Sequence, residues 1–171
     1  MKALRQYVVW GVDKNKPKKP FAYVNGKFEG NGWNNSEYWI AFDEAMALVE
    51  QGKAKGIGIC FNGGGIYGVD LDNVFINGQL IPEAQEIVGR LDSYTELSMS
   101  GNGLHVFVYA PSVDLLDGLD KGKTEYIFPG YDPVIVIENG KEVKKRRKVE
   151  YYQSSGYIAV TGKLYAEVMT C

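Results

Sequence analysis

An α+β fold built on a mainly antiparallel sheet is the class this sequence predicts, and three observations carry the prediction. Short β-prone runs recur along the chain, whereas only residues 43–50 and 82–91 space their apolar side chains along one helical face. Turn-forming pairs, Asn25-Gly26, Asn77-Gly78 and Asn139-Gly140, stand between those runs, so hairpins outnumber helical crossovers. No internal repeat or low-complexity tract interrupts the pattern.

Taken in order, Tyr7-Val8-Val9-Trp10 reads as the first strand. It runs into Lys14-Asn15-Lys16-Pro17-Lys18-Lys19-Pro20, where two prolines forbid regular pairing. That basic loop is either a solvated connection or a phosphate clamp, since lysines on a stiff loop lose little entropy on ordering. Phe21 to Asn35 is a hairpin or an irregular excursion. Trp39 to Phe42 leads into the first helix, which Asp43 and Glu44 open and Gly52 follows, as the helix dipole and C-cap preferences require. Gly56 to Phe61 reads as a buried strand, and Gly63-Gly64-Gly65 is expected to turn it back into the next strand, Ile66 to Asp72. Ile76 to Leu80 forms a small hairpin, and Pro82 suits the first position of a helix running to Leu91. Tyr94 to Leu97 and Leu104 to Val108 are two more strands, and residues 111 to 132 read as loop. Val134 to Ile137 and the residues from Val143 flank a hairpin turn. Lys148 to Tyr152 and Tyr157 to Val160 are expected to pair about Ser154-Ser155-Gly156.

At 171 residues the chain fits a single domain, residues 1–171, long enough to bury a sizeable core. Its 45% hydrophobic and 23% charged content is that of a folded globular protein. The net charge of −2 means that any affinity for nucleic acid must come from local patches. Two cysteines, Cys60 and Cys171, cannot make a zinc site by themselves, and a single histidine excludes a multi-histidine one. No apolar run approaches the roughly 20 residues that span a bilayer, and Met1 to Arg5 lacks a signal-peptide core. A reduced, cytoplasmic protein without membrane contact is therefore expected.

The chemistry concentrates in Ile66-Tyr67-Gly68-Val69-Asp70-Leu71-Asp72-Asn73. Residues i and i+2 of a strand share a face, so Asp70 and Asp72 project side by side while Val69 and Leu71 enter the core. Two carboxylates that close repel unless a cation lies between them, and a hard, oxygen-preferring ion such as Mg²⁺ or Mn²⁺ suits them. An exposed strand end with two solvated aspartates is the plainer alternative. Glu150, between Val149 and Tyr151, is either a third carboxylate facing the pair or a salt-bridged edge position. Ser98-Met99-Ser100-Gly101-Asn102-Gly103-Leu104-His105 combines backbone N–H groups freed by two glycines, two hydroxyls and the sole histidine, a set suited to an anion. His105 could equally be a satisfied structural residue. Lys141 and Lys144 to Lys148 place six basic residues in eight positions, a solvated hairpin tip or a nucleic-acid backbone contact.

Three familiar patterns fail. Gly63 to Gly68 matches G-x-G-x-x-G but precedes a strand rather than a helix. Gly122-Lys123-Thr124 lacks the earlier glycine of a P-loop, since that position holds Asp117. An EF-hand starting at Asp70 fails at Val74, Phe75 and Ile81.

In their order along the chain, Asp70-Leu71-Asp72, Ser100-Gly101-Asn102-Gly103-Leu104-His105 and Val149-Glu150-Tyr151 resemble the three motifs of the archaeo-eukaryotic primase superfamily. The flanks Gly56-Ile57-Gly58-Ile59, Tyr94-Thr95-Glu96 and Val160-Thr161-Gly162 also fit, most closely the primase-polymerase domains of phage and plasmid replication proteins. The resemblance covers roughly positions 7 to 163. It implies a two-lobed core with an RRM-like, mainly antiparallel sheet flanked by helices. Asp70, Asp72 and Glu150 would be catalytic and bind divalent ions. Ser100, Gly101, Asn102, Gly103 and His105 would hold the incoming triphosphate, with Lys18 among the phosphate or template contacts of the Lys16/Lys18/Lys19 loop. One departure matters: many relatives place an arginine before the aromatic residue after the third motif, where this chain has Gly156 before Tyr157. That basic contact is missing, or Arg146, Arg147 or Lys163 supplies it.

The function expected on this resemblance is template-directed DNA primase-polymerase activity, with two-metal nucleotidyl transfer from a (d)NTP to a 3′-OH supported by Mg²⁺ or Mn²⁺. Its setting would be replication of a phage or plasmid in a bacterial or archaeal host. DNA template and primer are the expected partners, together with a helicase domain or subunit, and the protein is expected to be a monomer. The chain is expected to be the N-terminal catalytic part of a longer replication protein. Two other readings stay open: a metal-dependent nuclease, and a non-catalytic nucleic-acid-binding module.

Overall fold

The computed structural model describes residues 3–111, 123–138 and 140–165. Strand β1 (Tyr7–Trp10) pairs with β2 (Pro20–Val24), which turns at Asn25-Gly26 into β3 (Lys27–Glu29). Asn25 and Gly26 both have positive φ, the left-handed pair that a two-residue hairpin needs. A 3₁₀ turn at Ser36–Tyr38, capped by the Asn35 side chain, leads through Ile40, bridged to Tyr7, into helix α1 (Phe42–Glu50). Glu44 reaches back to accept from the Ala41 N–H, which closes the exposed start of that helix. Strands β4 (Gly56–Cys60) and β5 (Ile66–Asp72) follow, then the small hairpin β6 (Phe75–Ile76) and β7 (Gln79–Leu80). Helix α2 (Pro82–Leu91) begins on proline, whose missing N–H costs nothing in a first turn. The remaining strands are β8 (Tyr94–Leu97), β9 (Leu104–Tyr109), β10 (Lys123–Ile127), β11 (Val134–Glu138), β12 (Lys141–Lys145), β13 (Lys148–Tyr152) and β14 (Tyr157–Val160).

These strands make two five-stranded sheets and two short ribbons. The first sheet has the order β14-β4-β1-β2-β3, the second β10-β13-β5-β9-β8, and β11-β12 and β6-β7 pair separately. Every strand pairing among the described residues is antiparallel. The fold is α+β, mainly antiparallel, as the hairpin count implies.

Three local expectations are corrected. Gly63 to Gly65 does not fold β4 back onto β5; the chain crosses there from the first sheet to the second. Likewise β13 and β14 belong to different sheets, and Ser154 to Gly156 carries the chain back across. A turn sequence states that the chain reverses, while the partner of each strand is set by which apolar face it must bury. Finally, Lys123–Ile127 is a strand within a stretch that reads as loop, because an edge strand with one wet face carries no continuous apolar run. The dismissed P-loop glycine, Gly122, lies outside the described residues, as does Cys171.

Each sheet has its own core. Tyr7, Val9, Ile57 and Ile59 pack against Ala45 and Leu48 of α1, and the cluster reaches Phe61, Ile66, Phe107 and Ile158. Val69, Leu71, Leu104, Val106 and Val149 line one face of the second sheet and pack against Ala84 and Val88 of α2. Leu71, Leu104 and Val106 are fully buried, and each such side chain contributes about 1.5–3 kcal/mol of transfer free energy. That burial fixes the register of β5, and with it the direction of Asp70 and Asp72. Among the described residues no helix is long and apolar enough to cross a membrane.

Candidate active site

The opposite face of the second sheet is polar where its strands cross level with Asp70. Cross-strand neighbours run Glu96 (β8), His105 (β9), Asp70 (β5), Glu150 (β13) and Glu125 (β10), one ionisable residue per strand. Period-two alternation then brings Asp72 and Lys148 onto the same face, opposite each other. One step the other way, Gly68 lies under Phe61 and Ile158 of the first sheet's core, which leave no room there for a Cβ. Exposure grows outward along β5: Gly68 is buried, the Asp70 side chain is 20% exposed and Asp72 is 40% exposed. The carboxylates therefore sit where the covering residues stop and solvent begins.

Asp70, Asp72 and Glu150 each present a ligand atom, all within 4.8 Å of one another. The third-carboxylate reading of Glu150 holds geometrically, since β13 is an inner strand and Glu150 is 4% exposed. Burial first, and then the neighbouring charge of Asp72, push the Asp70 carboxyl up to about 7. Asp72 is raised too, mainly by burial and against the pull of Lys148. Asp70 Oδ1 is buried and accepts no hydrogen bond; His105 Nε2 stands 3.8 Å from it. A buried carboxylate oxygen without a donor, beside two more carboxylates, fits an oxygen-coordinated divalent ion.

Lys148 compensates this charge from within. Its Nζ donates to Glu125 Oε2 at 2.6 Å and to Glu150 Oε1, and lies 3.8 Å from Asp72 Oδ2. Burial alone would lower the ammonium's pKa, but the bonds to Glu125 and Glu150 outweigh it and raise it. Tyr152 donates its hydroxyl to Glu150 Oε2 at 2.9 Å.

The Ser98–Gly103 loop lies one strand away and is internally tied. Ser98 N–H donates to Gly103 O at 2.9 Å, Gly101 N–H to Ser98 O at 3.0 Å, and Asn102 N–H to Ser100 Oγ at 3.2 Å. Ser98 and Ser100 hydroxyls are 3.1 Å apart. Gly103 packs so closely on β5 that a Cβ there would stand 2.2 Å from Leu71 O. His105 leaves this loop as the second residue of β9 and points at Asp70. Gly103, packed on Leu71, and His105, beside Asp70, thus join this loop to the strand that carries the two aspartates.

Lys18 is placed elsewhere. Tyr157 donates its hydroxyl to Lys18 O. Glu138 of β11 is held below its usual value chiefly by a hydrogen bond from Lys145, with a smaller contribution from Lys18. The early basic loop and the β11-β12 ribbon therefore lie near each other, although more than a hundred residues separate them in sequence. A trough of about 350 Å³ runs from Asp72 and Glu125 along Lys144, Lys145 and Arg146. Arg147 is used structurally: it donates to the carbonyls of Asn73 and Phe75 and lies over the Tyr131 ring.

Sequence reasoning missed Lys148 and Glu125 as partners of the carboxylates, and treated Glu96 only as a flank. Alternation in β13 was the available signal for Lys148, two residues from Glu150. Nothing local marks Glu125, since its role depends on β10 pairing with β13.

With this geometry established, similarity to known proteins agrees in kind. Over 170 residues the chain is 28% identical to a DNA primase-polymerase from Nitratiruptor phage NrS-1, an alignment that takes in 96% of this chain. It covers 20% of that protein, so the chain spans about a fifth of the relative's length. No protein-family model matches the chain. The similarity supports a primase-polymerase relationship.

Proposed function

We propose that this chain is the nucleotidyl-transfer core of a template-directed DNA primase-polymerase. The observation that carries the reading is the convergence of Asp70, Asp72 and Glu150 from adjacent strands, with His105 beside Asp70 and Gly103 of the serine-glycine loop packed on Leu71 between the two aspartates. Similarity to a phage DNA primase-polymerase supports it independently. The order β13-β5-β9-β8, with α2 between β5 and β8, supports an RRM-like sheet as one lobe. The first sheet with α1 would be the other lobe.

In this reading Asp70, Asp72 and Glu150 hold divalent cations, Mg²⁺ or Mn²⁺. Such ions, when bound, supply Lewis acidity that favours ionisation of the 3′-hydroxyl and offsets charge developing on the α-phosphate. The chain's own groups do the positioning. Backbone N–H groups and hydroxyls of Ser98–Gly103, with His105, orient the triphosphate of a (d)NTP. The trough lined by Lys144, Lys145 and Arg146 carries the nucleic-acid backbone, and Lys18 extends that basic surface. A helicase domain or subunit, a phage or plasmid replication role in the host cytoplasm, and a monomeric state complete the proposal.

The test is a paired extension assay with Mg²⁺ or Mn²⁺, on a primed template and on a bare single strand, comparing wild type with Asp70→Ala/Asp72→Ala. Products on the primed template that vanish in the double variant are expected, and products on the bare strand add priming. Absence of both extension and nucleotide binding by folded protein overturns the polymerase reading in favour of a binding module. Shortened template strands would point to a nuclease.

A further inference from the structure

We infer that Glu96 is the positioning residue for His105, holding its imidazole with Nδ1–H turned into the protein and Nε2 presented to the cleft, where a nucleotide's phosphate would lie. The phosphate half of this inference rests on the proposed function; the ring orientation does not.

Glu96 sits on the edge strand β8 yet is fully buried. A buried carboxylate is costly unless donors surround it, and here four do. Oε1 accepts from the Thr161 N–H at 2.8 Å and lies 3.2 Å from His105 Nδ1. Oε2 accepts from the Gly162 N–H at 2.9 Å and the Tyr94 hydroxyl at 3.0 Å. Burial alone would raise its pKa, but these donors outweigh burial and lower it, so the group is an anion at neutral pH. An ionised carboxylate only accepts. His105 Nδ1 must therefore carry the hydrogen, because the other tautomer would set a bare nitrogen lone pair against a carboxylate oxygen. With Nδ1 committed to Glu96, Nε2 is the nitrogen facing Asp70 Oδ1, 3.8 Å away, and it donates to a phosphate oxygen only when the ring carries a hydrogen on both nitrogens. A neutral residue of the same shape would spare the charge burial and still fill the space, but it could not impose one tautomer while accepting from all four donors.

The same carboxylate ties the ring to the far half of the molecule. Thr161 and Gly162 follow β14 of the first sheet, and Thr161 Oγ1 donates to Leu97 O at 2.7 Å while Leu97 N–H donates to Lys163 O at 2.8 Å. Glu96 thereby sets the histidine of one sheet against the chain leaving the other. Metal-ligating histidines commonly use a carboxylate in this way, and removing it costs about 10–100-fold; here the oriented group would serve a phosphate.

His105 is the only histidine in the chain, so its ring nitrogens can be read without assignment. The experiment records long-range ¹H–¹⁵N spectra of wild type and Glu96→Gln at pH 8, and measures KM for (d)NTP and kcat on a primed template. A protonated Nδ1 is expected in wild type. Glu96→Gln, whose amide can donate, is expected to shift the neutral ring toward Nε2–H and, by removing the anion that holds Nδ1–H while Nε2–H binds a phosphate, to raise KM about 10–100-fold with a smaller change in kcat. A neutral wild-type ring with Nδ1 bare overturns the inference, and that spectrum decides the matter even if Glu96→Gln fails to fold. A folded Glu96→Gln with an unchanged tautomer and unchanged KM also overturns it. A tautomer that behaves as expected in a protein that binds no nucleotide upholds the positioning role and sinks the nucleotide reading instead.

Discussion

Asp70 and Glu150 stand directly opposite each other on adjacent antiparallel strands, facing the same side of the sheet. Like charges in that relation destabilise a sheet, and both side chains are largely buried. The strand pair is tolerated because Lys148 and His105 approach from either side and because α2 packs on the opposite face. Four predictions follow from this arrangement and its surroundings.

The first concerns pH. Burial, then Asp72, push Asp70 up to about 7, while an unfolded chain titrates near 3.9. The folded state therefore binds more protons across that window, so stability falls as pH rises through it. Asp72 is shifted the same way. Glu96 is shifted oppositely, and its contribution is lost only as pH drops below the ordinary carboxylate range. The melting temperature of metal-free protein is expected to fall between pH 5 and pH 8, to fall less in Asp70→Asn, and to recover at pH 8 with Mn²⁺. A flat or rising profile in metal-free wild type would refute the assignment.

The second concerns the internal ammonium. Lys148 is partly exposed, so its loss is expected to cost roughly 1–3 kcal/mol, below the figure for a fully buried pair. Lys148→Met should melt several degrees below wild type without metal. Because Lys148 and a divalent ion compensate the same carboxylates, Mn²⁺ should raise the melting temperature more in the variant than in wild type. Equal increments would show that the two do not compete.

The third concerns the trough. Lys144, Lys145, Arg146 and Lys148 line it, but Lys148 is tied to Glu125 and Glu150, and Arg147 to the carbonyls of Asn73 and Phe75. Neutralising Lys144, Lys145 and Arg146 to glutamine should lower the slope of log K against log salt by about 0.7 per lost contact on single strands and about 0.9 on duplex. Binding isotherms at several salt concentrations measure it, and an unchanged slope removes the trough from the interface.

The fourth separates two glycines of one loop. At Gly103 a Cβ would meet the Leu71 carbonyl at 2.2 Å, so backbone must move. Gly103→Ala should cost about 1–3 kcal/mol and abolish nucleotide binding. Gly101 has φ of +75° but open space around it, so Gly101→Ala should cost only about 1–2 kcal/mol of backbone strain. Melting curves and nucleotide titrations distinguish them. Wild-type behaviour of Gly103→Ala would show that the loop's seat on β5 is unimportant.

Much of this was legible along the chain. Asp70 and Asp72 share a face because a strand alternates, and Val69 and Leu71 between them name the buried side. Helix α1 carries Asp43 and Glu44 in its first turn and stops short of Gly52, and α2 begins at Pro82, as these signals require. The ribbon about Gly140 follows from its turn. Glu150 was ambiguous, because a lone acid in a strand reads alike at an edge and in the middle of a sheet.

Local chemistry by itself determined the alternation, the turns, the antiparallel character and the order of the acidic and serine-glycine motifs, because each depends on neighbours a few bonds away. Only the tertiary structure decided that β4 and β5 part into different sheets, that β13 inserts between β5 and β10, and that Glu96, Lys148 and Glu125 join the carboxylates. Those outcomes depend on which apolar faces bury each other, a comparison made over the whole chain at once. A row of five ionisable residues, one from each strand of a sheet, is written in no single stretch of sequence.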